Sequence, residues 1–261
     1  MKKSKVMLFG AMALTAGLAL AACGSSQSSN ADKTYSYVFA SNPDTLDYIT
    51  STRGSTSSIT TNLIDGLLEN DQYGNLIPSM AESWTVSKDG LTYTYKIRQG
   101  AKWYTSEGEE YADVTAHDFV TGLKYAADKK AENLYLVQDS IKGLADYVEG
   151  KTSDFETVGV KAVDDYTLQY TLNKPESYWN SKTTGGILSP VNEAFLKSKG
   201  DDFGSVTPSS ILSNGPYLFK SFTSKSLIEF DKNPNYWDKD NVKIEKVKLS
   251  FFDGSDHDSI A

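Results

Sequence analysis

A mixed α/β fold is what this sequence predicts. Three observations carry the prediction. Short runs of alternating apolar and polar residues read as strands. Apolar residues at helical spacing lie between them. Clusters of Gly, Asn, Asp and Ser punctuate the junctions. Strands and helices interleave without an internal repeat, the order expected of α/β or α+β proteins. The chain has 261 residues, enough for one large domain or two smaller ones.

The elements follow in order. Residues 35–39 read as a first strand, closed by the turn cluster Ser41-Asn42-Pro43-Asp44. Ile59, Leu63, Ile64, Leu67 and Leu68 recur at helical spacing, which predicts a helix over 57–68 with Gly66 inside it. In 91–98, Leu91, Tyr93, Tyr95 and Ile97 share one face and polar residues the other, the pattern of a half-buried strand. Trp84 and Val86 precede Ser87-Lys88-Asp89-Gly90, which predicts a hairpin. A second hairpin joins 158–162 to 166–172 through Asp164-Asp165, and a third runs from 217–219 through 223–225 into 227–230. Val247, Leu249 and Phe251 mark a last strand. Thr115 and Asp118 have the spacing of a capped helix start, and Phe119, Val120, Leu123, Ala126 and Ala127 supply that helix's apolar face. Ile141, Leu144, Ala145 and Val148 mark another helix, broken by 150–153.

The N-terminus has a different character. Lys2, Lys3 and Lys5 precede an uncharged, mostly apolar stretch over 6–20. It is shorter than the ~20 residues of a membrane-spanning helix and has the layout of a secretory signal. Leu20-Ala21-Ala22-Cys23-Gly24 follows. Small residues directly before a Cys resemble the lipobox of bacterial lipoproteins, where the thiol is diacylated before cleavage on its N-terminal side. Cys23, the single cysteine, is the predicted lipidation site, because two acyl chains are what stable anchoring requires. Residues 1–22 then form a lipoprotein signal peptide, and the polar, Ser-rich 23–34 a flexible tether. Loss of Lys2, Lys3 and Lys5 with the signal moves the net charge from −8 to −11.

Several function classes are excluded. One cysteine cannot close an internal disulfide. An acidic chain is a poor nucleic-acid binder, since phosphate binding needs clustered Lys and Arg. No G-x-S-x-G, H-E-x-x-H or P-loop occurs. His117 and His257 are far apart in sequence, and His117, in the first turn of the capped helix, reads as structural. Residues 253–258 hold three acids but lack the Glu and Gly of a calcium-binding EF-hand loop, so they read as a solvated loop. No catalytic residue, metal site or cofactor is assigned, and the chain reads as a non-enzyme. Recognition remains. Trp103, Tyr104, Tyr135, Trp179, Tyr236 and Trp237 fall in predicted loops, where aromatics either meet a ligand or pack into a core.

Five stretches carry a family resemblance. They are Thr45-Leu46-Asp47; Leu63-Ile64-Asp65-Gly66-Leu67; residues 78–84 running on through 87–98 to Lys102-Trp103; Thr115-Ala116-His117-Asp118-Phe119-Val120; and Asn214-Gly215-Pro216-Tyr217 with Asn233-Pro234-Asn235-Tyr236-Trp237-Asp238. In this order, behind a lipobox, the chain resembles the peptide-binding lipoproteins of bacterial ABC importers. Within that extracellular solute-binding class it is similar to the oligopeptide-binding lipoproteins of streptococcus-like Gram-positive bacteria.

The resemblance implies a periplasmic-binding-protein-like Venus-flytrap of three lobes. On that template 35–60 open lobe I, 61–172 form lobe II and 173–261 return to lobe I. Lobes I and II are therefore expected and lobe III is expected to be missing. The resemblance implies ligand contacts at Thr52, Arg53 and Gly54, a segment that runs along the peptide, and at Tyr135, an aromatic leaning into the cleft. The acid that holds the peptide's amino terminus belongs to lobe III and has no position here. The implied partners are oligopeptides, ABC-transporter permease subunits and, through the lipid anchor, the extracellular face of the cell membrane. Two alternatives stand beside this reading: a binding-defective remnant, and a surface lipoprotein with an adhesive or sensing role.

Overall fold

The structure is a computed structural model that describes residues 33–252. Cys23, residues 1–32 and the acidic 253–258 with His257 lie outside the described residues. The elements run β1 (Thr34–Phe39), α1 (Gly54–Thr60), β2 (Leu68–Asn70), β3 (Leu76–Pro78), β4 (Ala81–Val86), β5 (Thr92–Ile97), β6 (Lys102–Tyr104), β7 (Glu110–Asp113), α2 (Ala116–Asp128) and α3 (Leu144–Val148). After these come β8 (Val160–Asp164), β9 (Thr167–Thr171), α4 (Glu193–Lys199), β10 (Tyr217–Thr223), β11 (Leu227–Lys232) and β12 (Lys246–Phe251), with short 3-10 turns between.

Two four-stranded sheets organise them. The first has the order β1-β12-β11-β10, with β1 parallel to β12 and the other pairs antiparallel. It joins the first and last described strands. The second, β4-β5-β9-β8, is antiparallel throughout. The β2–β3 and β6–β7 ribbons are separate. All three predicted hairpins form. Gly90, at φ +72, closes the first, and its N–H reaches the Ser87 carbonyl at 2.9 Å. Asp164 Oδ1 accepts the Tyr166 N–H at 2.9 Å and turns the second, as a short carboxylate can.

α2 starts where its cap predicts. Thr115 and Asp118 close a capping box, in which Asp118 Oδ2 accepts the Thr115 backbone N–H at 2.8 Å. Phe119, Leu123, Ala126 and Ala127 are buried on one face, while Val120 is half-buried. Trp103 Nε1 donates to the same Asp118 oxygen at 3.1 Å, tying β6 to the helix. Burial raises the Asp118 carboxyl to about 6, against the pull of these hydrogen bonds. His117 is exposed, and its Nε2 lies 3.3 Å from Asp165 Oδ1 in the turn of the second hairpin.

Two expectations are corrected. The helix expected over 57–68 ends early: α1 covers Gly54–Thr60, and Leu68 already belongs to β2. Leu63, Ile64, Leu67 and Leu68 are buried as their pattern requires. The backbone between them is claimed by tertiary partners. Gly66 O accepts from Met80 N–H, Leu67 O accepts from Ala81 N–H, and Asp65 N–H donates to the Asn214 side chain. These bonds replace the helical ladder. The helix expected from Ile141 is also shorter. Gly143 adopts φ +73, so α3 begins only at Leu144, and Ile141 forms a bridge to Leu172 instead. No helix among the described residues is long and apolar enough to cross a membrane.

Candidate functional site

The main cleft has a volume of about 390 Å³. Its lining comes from the turn before α1, one side of α1, the irregular 64–69 segment, the 3-10 turn around Asn133–Leu136, and the Thr184–Gly186 backbone. Eight of its residues carry hydroxyls of Ser or Thr, and its two charged residues, Asp65 and Glu69, are both acids. Such a surface offers many hydrogen-bond partners and no positive charge.

The turn before α1 is held by a carboxylate. Asp47 Oδ1 accepts the N–H groups of Ile49 and Thr50 at 3.1 and 3.2 Å. Its Oδ2 accepts the Tyr125 hydroxyl of α2 at 2.9 Å. Gly204, at φ +72, packs on the Asp47 backbone where a Cβ would come within 2.4 Å. This positions Thr52 in the cleft, with its Oγ1 3.3 Å from Glu132 Oε2 across the mouth. Tyr135 stands at the same mouth, 74% exposed.

Of the four ligand positions expected from sequence, the structure brings Thr52 and Tyr135 together in this cleft. Arg53 and Gly54 are not part of its lining. Arg53 pairs with Asp44 at 3.0 Å on the exposed rim, and Gly54 borders a separate, largely apolar hollow beside β1. Of the six loop aromatics, only Tyr135 reaches the main cleft. Trp103, Tyr104, Trp179 and Tyr236 are buried in the core, and Trp237 is half-buried under the Arg98 guanidinium, 3.7 Å from its ring centre. Trp103 and Tyr104 lie in strand β6 rather than in a loop, and the segments that carry Trp179 and Tyr236 cover the core, where large apolar surface is most stabilised.

Asp65 is the residue that the sequence reading passed over as a site. It is buried, and it lines the cleft. Its Oδ2 accepts the Tyr236 hydroxyl at 2.7 Å and Trp237 Nε1 at 3.3 Å. Burial raises its carboxyl to about 6. The Tyr236 and Trp237 hydrogen bonds oppose that rise, and the charge of Asp238 adds to it. Glu69 is raised as well, by burial first and then by Asp65 and Asp238, while Arg98 pulls it back. A signal was available: an acid inside the apolar run Leu63–Leu67 is informative because Asp is seldom buried without partners. Ser79 Oγ and Asn133 Oδ1 also line the cleft, both shielded from solvent and with no partner at hydrogen-bonding geometry. Ser79 Oγ still lies close enough to Asp65 to favour its charge. Among the described residues, no group of three His, Cys, Asp or Glu could hold a metal ion.

Comparison with known proteins is consistent with these features. The chain is 66% identical over 258 residues to the oligopeptide-binding protein AliB of Streptococcus pneumoniae, covering 99% of this chain and 39% of AliB. It is 59% identical to AmiA of the same species, covering 100% of this chain and 40% of AmiA. The chain thus spans about two-fifths of the length of these curated relatives. Among solved structures, Listeria monocytogenes OppA bound to peptide matches with a TM-score of 0.78 at 32% identity, over 85% of this chain and 43% of that one. The pheromone receptor PrgZ matches with a TM-score of 0.76 at 26% identity, over 84% and 43%. Residues 75–259 match the model of the bacterial extracellular solute-binding proteins, family 5 (middle), and the chain belongs to that family.

Proposed function

We propose that this chain supplies part of an oligopeptide-capturing surface that feeds a peptide ABC importer, held at the extracellular face of the membrane by lipid on Cys23. The observation that carries this reading is the cleft itself, where Thr52, Tyr135, the half-buried backbone of Gly185 and the exposed backbone of Gly186 border one open space. Neither glycine N–H is used in a hydrogen bond among the described residues. An exposed main-chain donor at Gly186 beside hydroxyl side chains suits an extended peptide, whose backbone gives affinity with little demand on sequence. The names of AliB, AmiA and the peptide-bound OppA support the same class of ligand.

In this reading 35–60 and 173–261 form lobe I and 61–172 form lobe II. Pairing of β1 with β12 across those two segments, and confinement of β4-β5-β9-β8 to the middle one, support the division. Thr52 and Tyr135 contact the peptide, and Arg53 and Gly54 flank the path where it leaves the cleft. The permease subunits are the transport partner. The chain is read as a binding protein, the role carried by the names of its relatives AliB and AmiA.

Calorimetric titration of the purified 261-residue chain with a random peptide pool tests the reading. Binding at or below about 1 μM is expected. Absence of heat at high peptide concentration would overturn it and favour a form that does not bind alone. Cys23→Ala should release the protein from the membrane fraction, and unchanged retention would remove the anchor.

A further inference from the structure

Resting on the reading of this cleft as a peptide site, we propose that its inner end, at Asp65, Glu69 and Ser79, is a subsite for a positively charged side chain of the ligand. The ligand class is then a peptide carrying Lys or Arg at the position that enters this end.

Charge is the first argument. Asp65 and Glu69 are the two charged residues of the lining, and no Lys, Arg or His joins them. Arg98 borders this end without joining the lining: it stacks on Trp237, donates from Nε to the Ser79 carbonyl at 3.2 Å, and offsets only part of the burial at Glu69, which stays raised. The second argument is independent of charge. Ser79 is 1% exposed, lines the cleft beside Asp65, and its Oγ meets no partner at hydrogen-bonding geometry. Beyond its proximity to the Asp65 carboxyl this buried hydroxyl has unused acceptor capacity, and a ligand ammonium or guanidinium hydrogen would fill it. Third, the acceptor is prepositioned. Tyr236 and Trp237 both donate to Oδ2 of Asp65, which fixes the carboxyl. A charge-assisted hydrogen bond to a fixed carboxylate is among the stronger polar contacts available.

Binding a cation here also has a proton signature. The groups facing Asp65 are Tyr236, Trp237, Ser79, Asp238 and Glu69, and Arg98 lies against Ser79 and Trp237 and acts on Glu69. In the empty cleft burial favours the protonated acid, so an entering cation would favour the charged form and release a proton when the pH is near 6.

The test uses acetylated, amidated tripeptides Ala-Lys-Ala, Ala-norleucine-Ala and Ala-Glu-Ala, whose only charge is the central side chain. They are titrated into the ¹⁵N-labelled 261-residue chain. The readout is the indole N–H resonance of Trp237, assigned with Trp237→Phe, because that N–H donates to Asp65. The Lys peptide should bind roughly tenfold or more tighter than the norleucine peptide, the ratio that about 1.4 kcal/mol produces. It should shift the Trp237 indole, and release a proton at pH 6. Glu69→Gln should reduce that preference without unfolding the chain, and Asp65→Asn should remove the proton release. Equal binding of the Lys and norleucine peptides overturns the subsite and leaves the peptide reading standing. A Lys preference unchanged in both variants overturns the residue assignment. Failure of all three peptides to bind or to shift Trp237 overturns the subsite, and the peptide pool then decides the wider reading by itself.

Discussion

Replacing Gly66 by Ala places a methyl group against a neighbouring main chain. An added Cβ would lie 2.8 Å from Gly185 N, 2.8 Å from Thr184 C and 2.9 Å from Thr183 O. All three are backbone atoms, so no side-chain rotation relieves the contact. To regain a separation of ~3.5 Å the two segments must part by roughly 0.5–1 Å. Gly66 cannot shift freely, because its carbonyl and that of Leu67 accept from the Met80 and Ala81 N–H groups. Overpacking of this kind costs about 1–3 kcal/mol. For a domain of this size a loss of about 2 kcal/mol lowers Tm by roughly 4–8 °C. Gly54→Ala is the matched control. Nothing lies within 4 Å of its added Cβ, and it opens α1 without a positive φ. It should stabilise by about 0.4–1 kcal/mol through the unfolded chain. Urea denaturation followed by tryptophan fluorescence separates the two. Gly66→Ala should move the midpoint down with an unchanged m-value, and Gly54→Ala should move it slightly up. Gly66→Ala within about 0.5 kcal/mol of the parent, or both variants shifting alike, would refute the close-approach argument.

Three further outcomes are expected. Burial lifts Asp65 from 3.8 to about 6, so its protonated form is favoured by folding: this contribution is complete below pH 3.8 and is lost as pH rises through 6. Asp65→Asn should therefore flatten the fall in stability over that interval by about 1–3 kcal/mol, and parallel pH profiles would contradict the assignment. Burial pushes the Glu176 carboxyl up, yet hydrogen bonds from Lys182 and Ser140 outweigh it and hold the group below 4.5. Lys182→Met, which removes a 3.0 Å partner from this buried acid, should cost about 3 kcal/mol above that pH and less below it; a pH-independent loss would point to packing alone. Tyr135→Ala should leave Tm nearly unchanged because the ring is 74% exposed, while weakening peptide binding several-fold; unchanged affinity would remove Tyr135 from the site.

Local chemistry was legible wherever it acts over a few residues. The strand over Tyr93–Ile97, the Ser87–Gly90 turn, the Asp164 turn and the Thr115–Asp118 cap each depend on neighbours in sequence, and each formed as its residues dictate. The 64–68 segment could not be read this way. Its apolar spacing is helical, but its backbone bonds run to Met80, Ala81 and Asn214, and no local pattern records those partners. The loop aromatics erred for a related reason. A Trp can face a ligand or a core, and only the packing of other segments decides which, as it does for Trp103 of β6 against Asp118 and for Trp237 against Asp65.

The sequence by itself determined the signal-like start with Cys23, the mixed α/β class, the hairpins and the family. These rest on residue order and short-range periodicity. Only the tertiary structure decided that Thr52 and Tyr135 share a cleft while Arg53 turns to Asp44, and that Asp65 is a buried acid facing that cleft. Burial and its effect on ionisation arise from surfaces that are far apart in the chain, Asn214 and Tyr236 closing over Asp65, and they exist only once those surfaces meet.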